Sequence, residues 1–118
     1  PMGAIKRLRR YEKGIVSTLY ICFRLNQTAS VDFIEQYFES GIQNIEIEKI
    51  AQEGARNHGL LNVGVSDFFN IEINLPSIEE QKQIASFLSK IDQKLQTEKA
   101  ILKQLEMQKK YLLQQMFV

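Results

Sequence analysis

The chain has 118 residues, of which 44% are hydrophobic and 25% charged, and its formal net charge is +1. These values are typical of one compact domain, or of a smaller domain with one long element, and they exclude a disordered chain. No apolar run approaches the roughly 20 residues that a membrane-spanning helix needs. One cysteine and one histidine cannot form a disulfide framework or a zinc site. We therefore expect a cytoplasmic protein without a metal or other cofactor.

The near-neutral total hides a basic N-terminus followed by an acidic middle. Residues 1–13 carry five basic side chains against one glutamate, whereas acidic side chains outnumber basic ones over residues 14–76. A basic cluster of this kind predicts contacts with nucleic-acid phosphates. It is equally typical of a solvated chain terminus, so composition leaves both interpretations open.

Two strands and two helices are predicted before residue 77. Residues 15–25 are rich in β-branched and aromatic side chains and predict a buried strand. Ser30 and the acidic turn after it predict a helix capped by Ser30, with Gly41 near its end. The apolar face of this helix is formed by Phe33, Ile34, Tyr37 and Phe38.

The segment that follows is less regular. Residues 45–51 resume a helical pattern, and the glycines of residues 54–64 predict an irregular loop. Residues 70–75 alternate polar and apolar side chains, which predicts a half-buried strand that Pro76 terminates.

One long helix is the clearest pattern in the sequence. Ser77 and Glu80 have the spacing of a capping box, and the good helix formers that follow include no glycine or proline. The helix can run from residue 78 to residue 116, roughly 58 Å at 1.5 Å per residue. Its apolar side chains recur in steps of four and three, as in a coiled-coil seam. With two breaks at charged residues, the predicted interface comprises Ile84, Leu88, Ile91, Leu95, Glu98, Leu102, Leu105, Lys109, Leu112 and Met116.

A helix of this length cannot bury its whole stripe against a domain of about 75 residues, which spans only some 25–30 Å. We therefore expect the seam to pair with another helix.

The segment 73–85, Ile-Asn-Leu-Pro-Ser-Ile-Glu-Glu-Gln-Lys-Gln-Ile-Ala, resembles a junction in the specificity (S) subunits of type I restriction–modification systems. In that family a last strand ends at a proline, and an acidic–glutamine pair opens a conserved helix. Residues 110–117 are similar to the end of that helix, and residues 54–63 to a loop and strand late in the recognition domain. The resemblance runs from about residue 11 to the end and is strongest over residues 70–118.

The resemblance and the predicted elements together imply an α+β fold. Residues 1–76 would form a small, partial DNA target-recognition domain, and residues 77–118 the conserved coiled-coil helix. Family subunits are not enzymes: they read DNA for methyltransferase and restriction subunits, and their two conserved helices pack antiparallel. This chain has one such helix and about half the usual recognition domain. We expect a fragment or half-subunit, cloned or naturally shortened, that binds double-stranded DNA, docks methyltransferase subunits and forms an antiparallel homodimer.

Two registers of that homodimer are possible. One places Leu102 opposite Leu105 of the partner subunit and Glu98 opposite Lys109 of the partner subunit, so that both breaks in the seam meet an opposite charge. The other places Leu102 opposite Glu98 of the partner subunit and overlaps more helix. The sequence leaves the choice open.

The candidate DNA contacts fall into two groups, and no catalytic constellation accompanies them. Arg7, Arg9 and Arg10 would contact phosphate rather than bases. A loop with arginine and asparagine has the chemistry that reads guanine and adenine in the major groove. Its candidates are Arg56, Asn57, His58 and Asn62. The asparagines are equally suited to satisfying turn backbone.

Two classes of function remain open. The chain is either a DNA-specificity module or a helical dimerisation and assembly module that does not bind DNA, from a truncated or silent specificity gene. A salt-titrated DNA-binding assay separates them.

Overall fold

A computed structural model describes residues 5–54 and 63–117. Its helices in chain order are α1 (Val31–Glu39), α2 (Asn44–Gly54), α3 (Val65–Phe69) and α4 (Ile78–Met116). The chain forms two compact units, Pro1–Lys82 and Gln83–Val118. Among the helices described, none is long and apolar enough to cross a membrane.

The predicted α+β fold class is wrong, because the regular structure within residues 5–54 and 63–117 is entirely helical. Residues 15–25 are irregular and mostly exposed, with Ile15 fully accessible. They turn where the Tyr20 N–H donates to the Ser17 carbonyl at 3.1 Å. β-Branched side chains favour a strand only when a neighbouring strand pairs with its backbone and covers one face. Whether such a neighbouring strand exists depends on other parts of the chain, so the composition of residues 15–25 alone could not predict their structure.

The second predicted strand, residues 70–75, is also absent. The expected alternation in burial is present, since Ile71 and Ile73 are half-buried whereas Glu72 and Asn74 are exposed. No ladder joins this segment to another part of the chain that the structure describes. A half-buried extended segment can thus imitate the sequence pattern of a strand without pairing.

Helix α1 forms as predicted. Ser30 is extended at ψ 127° and its side-chain oxygen accepts from the Phe33 N–H, which satisfies one of the free donors of the first turn. Ile34 is buried on the predicted apolar face. The helix ends at Glu39, and Gly41 follows at φ 76°, a left-handed conformation that favours glycine.

Helices α2 and α3 complete the core of the first unit. Helix α2 is longer than the predicted 45–51 and buries Ile47 and Ala51. Helix α3 was not predicted. Its Phe68 ring lies 5.4 Å from the ring of Phe23, which also packs edge-on against Phe38 of α1. Phe23 therefore joins the predicted strand segment to the helices through side-chain packing rather than backbone pairing.

Helix α4 has the predicted bounds. The Ser77 hydroxyl accepts from the Glu80 N–H at 3.3 Å, and the Glu80 carboxylate accepts from the Ser77 N–H at 3.3 Å, which confirms the capping box. Every residue from 91 to 117 is exposed. Pairing of this helix as a coiled coil stays a prediction.

Candidate functional site

The predicted phosphate-binding arginines lie against the acidic face of α1. Arg7 donates from Nη1 to the Asp32 carboxylate at 2.8 Å and to the Glu35 carboxylate at 3.4 Å. Arg9 donates from Nε to Glu35 at 3.1 Å and forms a second bond to the same carboxylate from Nη2. Both arginines thus converge on Glu35, whose side chain is only 20% exposed.

Lys6 extends this ion-pair network by one helical turn. Its ammonium lies 3.2 Å from the Glu39 carboxylate. The hydrogen bond to Asp32 is the main cause that raises the pKa of Arg7 above its ordinary value, and partial burial opposes it. The guanidinium of Arg7 is therefore charged at any physiological pH.

Arg10 is the exception among the three predicted phosphate contacts. It is exposed, and it forms no ion pair within residues 5–54 and 63–117. The predicted base contacts Arg56, Asn57, His58 and Asn62 lie outside the described residues. The structure thus describes the surroundings of the residues predicted to contact phosphate, but not of those predicted to contact bases.

Gln81 is a residue whose role the sequence analysis missed. Its side chain is fully buried in the first turns of α4. Its Oε1 accepts from the Ser30 N–H at 2.8 Å, and its Nε2 donates to the carbonyls of Thr28 at 3.1 Å and Pro76 at 2.9 Å. One amide therefore ties together the start of α1, the turn before it and the end of the segment that leads into α4.

A second buried glutamine, Gln43, lies just before α2. Its Oε1 accepts from the Tyr37 hydroxyl at 2.6 Å. Its Nε2 is the one buried side-chain nitrogen or oxygen atom without a hydrogen-bond partner in the part of the chain that the structure describes. Gln43 and Gln81 are the buried polar side chains in this part of the chain. The polar groups of this unit thus position its helices.

The exposed stripe of α4 is the other candidate surface. Leu102 and Leu105 are each more than half exposed. Glu98, at one break in the stripe, forms an ion pair with Lys94 of the same helix, with 2.9 Å between the ammonium and the carboxylate oxygen. No group of three or more His, Cys, Asp or Glu side chains in the described parts of the chain could hold a metal ion. What the helix offers is an apolar face bordered by charges.

Comparison with known proteins gives one positive result. No curated protein and no solved structure matches the chain. The model of the type I restriction modification DNA specificity domain matches residues 9–107. That match includes the arginine at position 9, the α1 face that binds it, the Gln81 junction and most of α4. The chain belongs to the type I restriction–modification DNA specificity family.

Proposed function

We propose that this chain contributes DNA sequence specificity to a type I restriction–modification complex in the cytoplasm, without catalysis of its own. The family match over residues 9–107 carries the proposal. In this role the first unit contacts double-stranded DNA, and α4 pairs with a second helix. Methyltransferase subunits dock on these elements and restriction subunits join the complex.

The DNA contacts we propose are weak in the isolated chain and strongly dependent on salt. Arg10 and Lys13 are exposed and are the phosphate contacts we propose, whereas Arg7 and Arg9 already have carboxylate partners. If these two cations contact phosphate, the logarithm of affinity falls with that of salt at a slope of about −1.8. Between 50 and 200 mM salt this is a loss of roughly 12-fold.

The test is a fluorescence-anisotropy titration with duplex DNA over a range of salt concentrations. Arg10→Ala and Lys13→Ala should weaken binding to all duplexes alike and reduce the salt slope by about one each. Lys103→Ala, an equally large loss of charge on α4, is the control and should change neither. Arg56→Ala should alter the preference among duplexes. Affinity that is absent at every salt concentration would reject DNA recognition by this chain.

The partner we propose for α4 is a second copy of the chain, packed antiparallel. An unpaired helix leaves Leu95, Leu102 and Leu112 about half exposed. Fully burying one such side chain contributes roughly 1.5–3 kcal/mol, against which the entropy of association must be set. A continuous helix from Ile78 to Met116 keeps the four-and-three spacing in phase over its whole length.

Charges beside the seam favour one register. Because Glu98 already has a partner in Lys94, its position within the seam says less about register than the sequence suggested. With Leu102 opposite Leu105 of the partner subunit, Lys99 lies beside Glu106 of the partner subunit, an attraction repeated by symmetry. The alternative register brings Asp92 beside Glu106 of the partner subunit and Lys99 beside its own symmetry mate. We propose the first register.

Sedimentation equilibrium at tens of micromolar tests the dimer. Leu102→Glu should give a monomer, because it buries a charge in the seam. Met107→Glu is the matched control: it lies about 140° away around the helix and should leave the dimer intact. A monomeric wild-type chain would refute the proposal.

Glu106→Lys decides the register. It weakens the dimer in the proposed register and strengthens it in the alternative, where it would face Asp92 of the partner subunit. Adding Lys99→Glu should restore the dimer only in the proposed register.

The alternative function is a helical dimerisation and assembly module that does not bind DNA. The observation that favours it is the carboxylate partners of Arg7 and Arg9, which reduce the basic surface available to phosphate. A dimer without salt-dependent DNA affinity would support this alternative.

A further inference from the structure

We propose that the acidic face of α1, formed by Asp32, Glu35 and Glu39, holds the basic segment, residues 5–10, in the free protein and competes with DNA phosphates for its guanidinium groups. The competition rests on the DNA binding proposed above. Retention of the basic segment rests on the contacts alone.

Side-chain ion pairs are the principal attachment of the basic segment. No backbone–backbone hydrogen bond joins residues 5–16 to another residue that the structure describes. All of residues 6–16 are exposed, and only Ile5 is half-buried. Arg7, Arg9 and Lys6 supply the ion pairs, so neutralising the carboxylates should free the segment.

Glu35 is the centre of the acidic face. It accepts from both Arg7 and Arg9, and it is less exposed than Asp32 or Glu39, whose side chains are 67% and 47% exposed. The spacing of the three acids, three and then four residues apart, places them on one side of α1. They form a row of oxyanions along a helix.

A carboxylate and a phosphate bind guanidinium in the same way. Both offer two oxygens in one plane to paired N–H groups of arginine, as Glu35 does to Nε and Nη2 of Arg9, so a guanidinium edge bound to one is unavailable to the other. Exposed ion pairs are individually weak, whereas duplex DNA adds the release of condensed counterions. DNA can therefore displace the carboxylates. The apparent affinity for DNA is the affinity of the free segment multiplied by the fraction of time for which the segment is free.

The experiment compares Glu35→Gln with Glu48→Gln. Both remove one negative charge from a helix of the first unit, but Glu48 is exposed and forms no ion pair with the basic segment. The chain contains no tryptophan, so Tyr11→Trp, at an exposed position just beyond the segment, introduces a unique fluorophore. Time-resolved anisotropy of that fluorophore reports local motion, and a low-salt titration with duplex DNA reports affinity.

We expect Glu35→Gln to increase local motion near position 11 and to tighten DNA binding about three- to tenfold relative to Glu48→Gln. Unchanged motion in a variant that combines Asp32→Asn, Glu35→Gln and Glu39→Gln would show that the carboxylates do not hold the segment, and would overturn the inference. Increased motion with the same DNA affinity as Glu48→Gln would overturn the competition. If no variant binds DNA, the proposed DNA function fails and the competition with it, while the anisotropy still reports whether the carboxylates retain the segment.

Discussion

Replacing Gln81 with alanine should destabilise the first unit by about 2–4 kcal/mol. The change removes three hydrogen bonds, to the Ser30 N–H and to the carbonyls of Thr28 and Pro76, at distances of 2.8–3.1 Å. Each such bond contributes about 0.5–1.5 kcal/mol, and a buried group left without a partner costs about 1–3 kcal/mol. The side chain is buried, but Thr28 is exposed and Ser30 and Pro76 are half-buried, so water can partly replace the amide.

Gln83→Ala is the matched control, because it makes the same chemical change at an exposed position two residues along the same helix. It has the same effect on helix propensity and should change stability by no more than about 0.5 kcal/mol. The assay is native-state hydrogen exchange of the α1 amides together with urea denaturation. A loss of 2 kcal/mol corresponds to roughly 30-fold faster exchange of the Ser30 amide when exchange follows local opening. Equal exchange rates in the two variants would refute the structural role assigned to Gln81.

Gln81→Glu separates hydrogen-bond donation from side-chain size. The introduced carboxyl group can still accept from the Ser30 N–H, but when ionised it cannot donate to the two carbonyls and places a charge in a buried site. Its protonated form can donate again. Protonation should therefore occur more readily in the folded than in the unfolded state, so the stability lost relative to wild type should shrink as the pH is lowered. A deficit that does not depend on pH would show that packing, rather than donation, explains the role of Gln81.

Three further outcomes follow from the local geometry. Gly41→Ala should cost about 1–2 kcal/mol in urea denaturation, because an L-residue is strained at φ 76° and its Cβ would lie 3.2 Å from Asn44 Nδ2. Ser77→Ala should cost about 0.5–2 kcal/mol in the thermal unfolding of α4 followed by circular dichroism, whereas Ser86→Ala, inside the helix, should not. The raised pKa of Arg7 contributes stability that is fully present below the ordinary pKa of an arginine and is lost only as the pH rises through the still higher folded-state pKa. Raising the pH from 7 to 9 should therefore leave the anisotropy of the Tyr11→Trp fluorophore unchanged, and a drop over that range would contradict the assignment.

The sequence predicted best those features that neighbouring residues determine. The Ser30 cap and the capping box of Ser77 and Glu80 form within three residues, and both α1 and α4 begin where these signals place them. The strands failed for the opposite reason. Strand formation at residues 15–25 depends on a partner far away in the chain, and composition carries no information about whether that partner is present.

The candidate site was predicted only in part because its contacts are also non-local. Gln81 reaches residues 51 and 53 positions away, and Arg7 reaches Asp32, 25 positions away. A signal for Gln81 was nonetheless present, since it continues the apolar stripe one step before Ile84. A polar residue on an apolar stripe destabilises the fold when it is buried without a hydrogen-bond partner, so its presence there predicts a buried hydrogen-bonding group. The basic side chains of residues 6–9 and the acidic side chains of residues 32–39 were a second signal, and together they could have predicted the ion pairs between these segments.

The small core of the first unit couples its stability to what it binds. Its buried apolar side chains among the described residues are Ile34, Ile47 and Ala51, and the aromatic cluster around Phe23 is only partly covered. A core of this size leaves a small margin of stability, so the Gln81 junction forms a large share of what holds the unit together. Any ligand that binds the folded form alone must then raise its stability by mass action. Destabilising changes such as Gln81→Ala should consequently weaken the DNA binding proposed above once they unfold a measurable fraction of the chain, even though Gln81, being buried, need not touch the DNA.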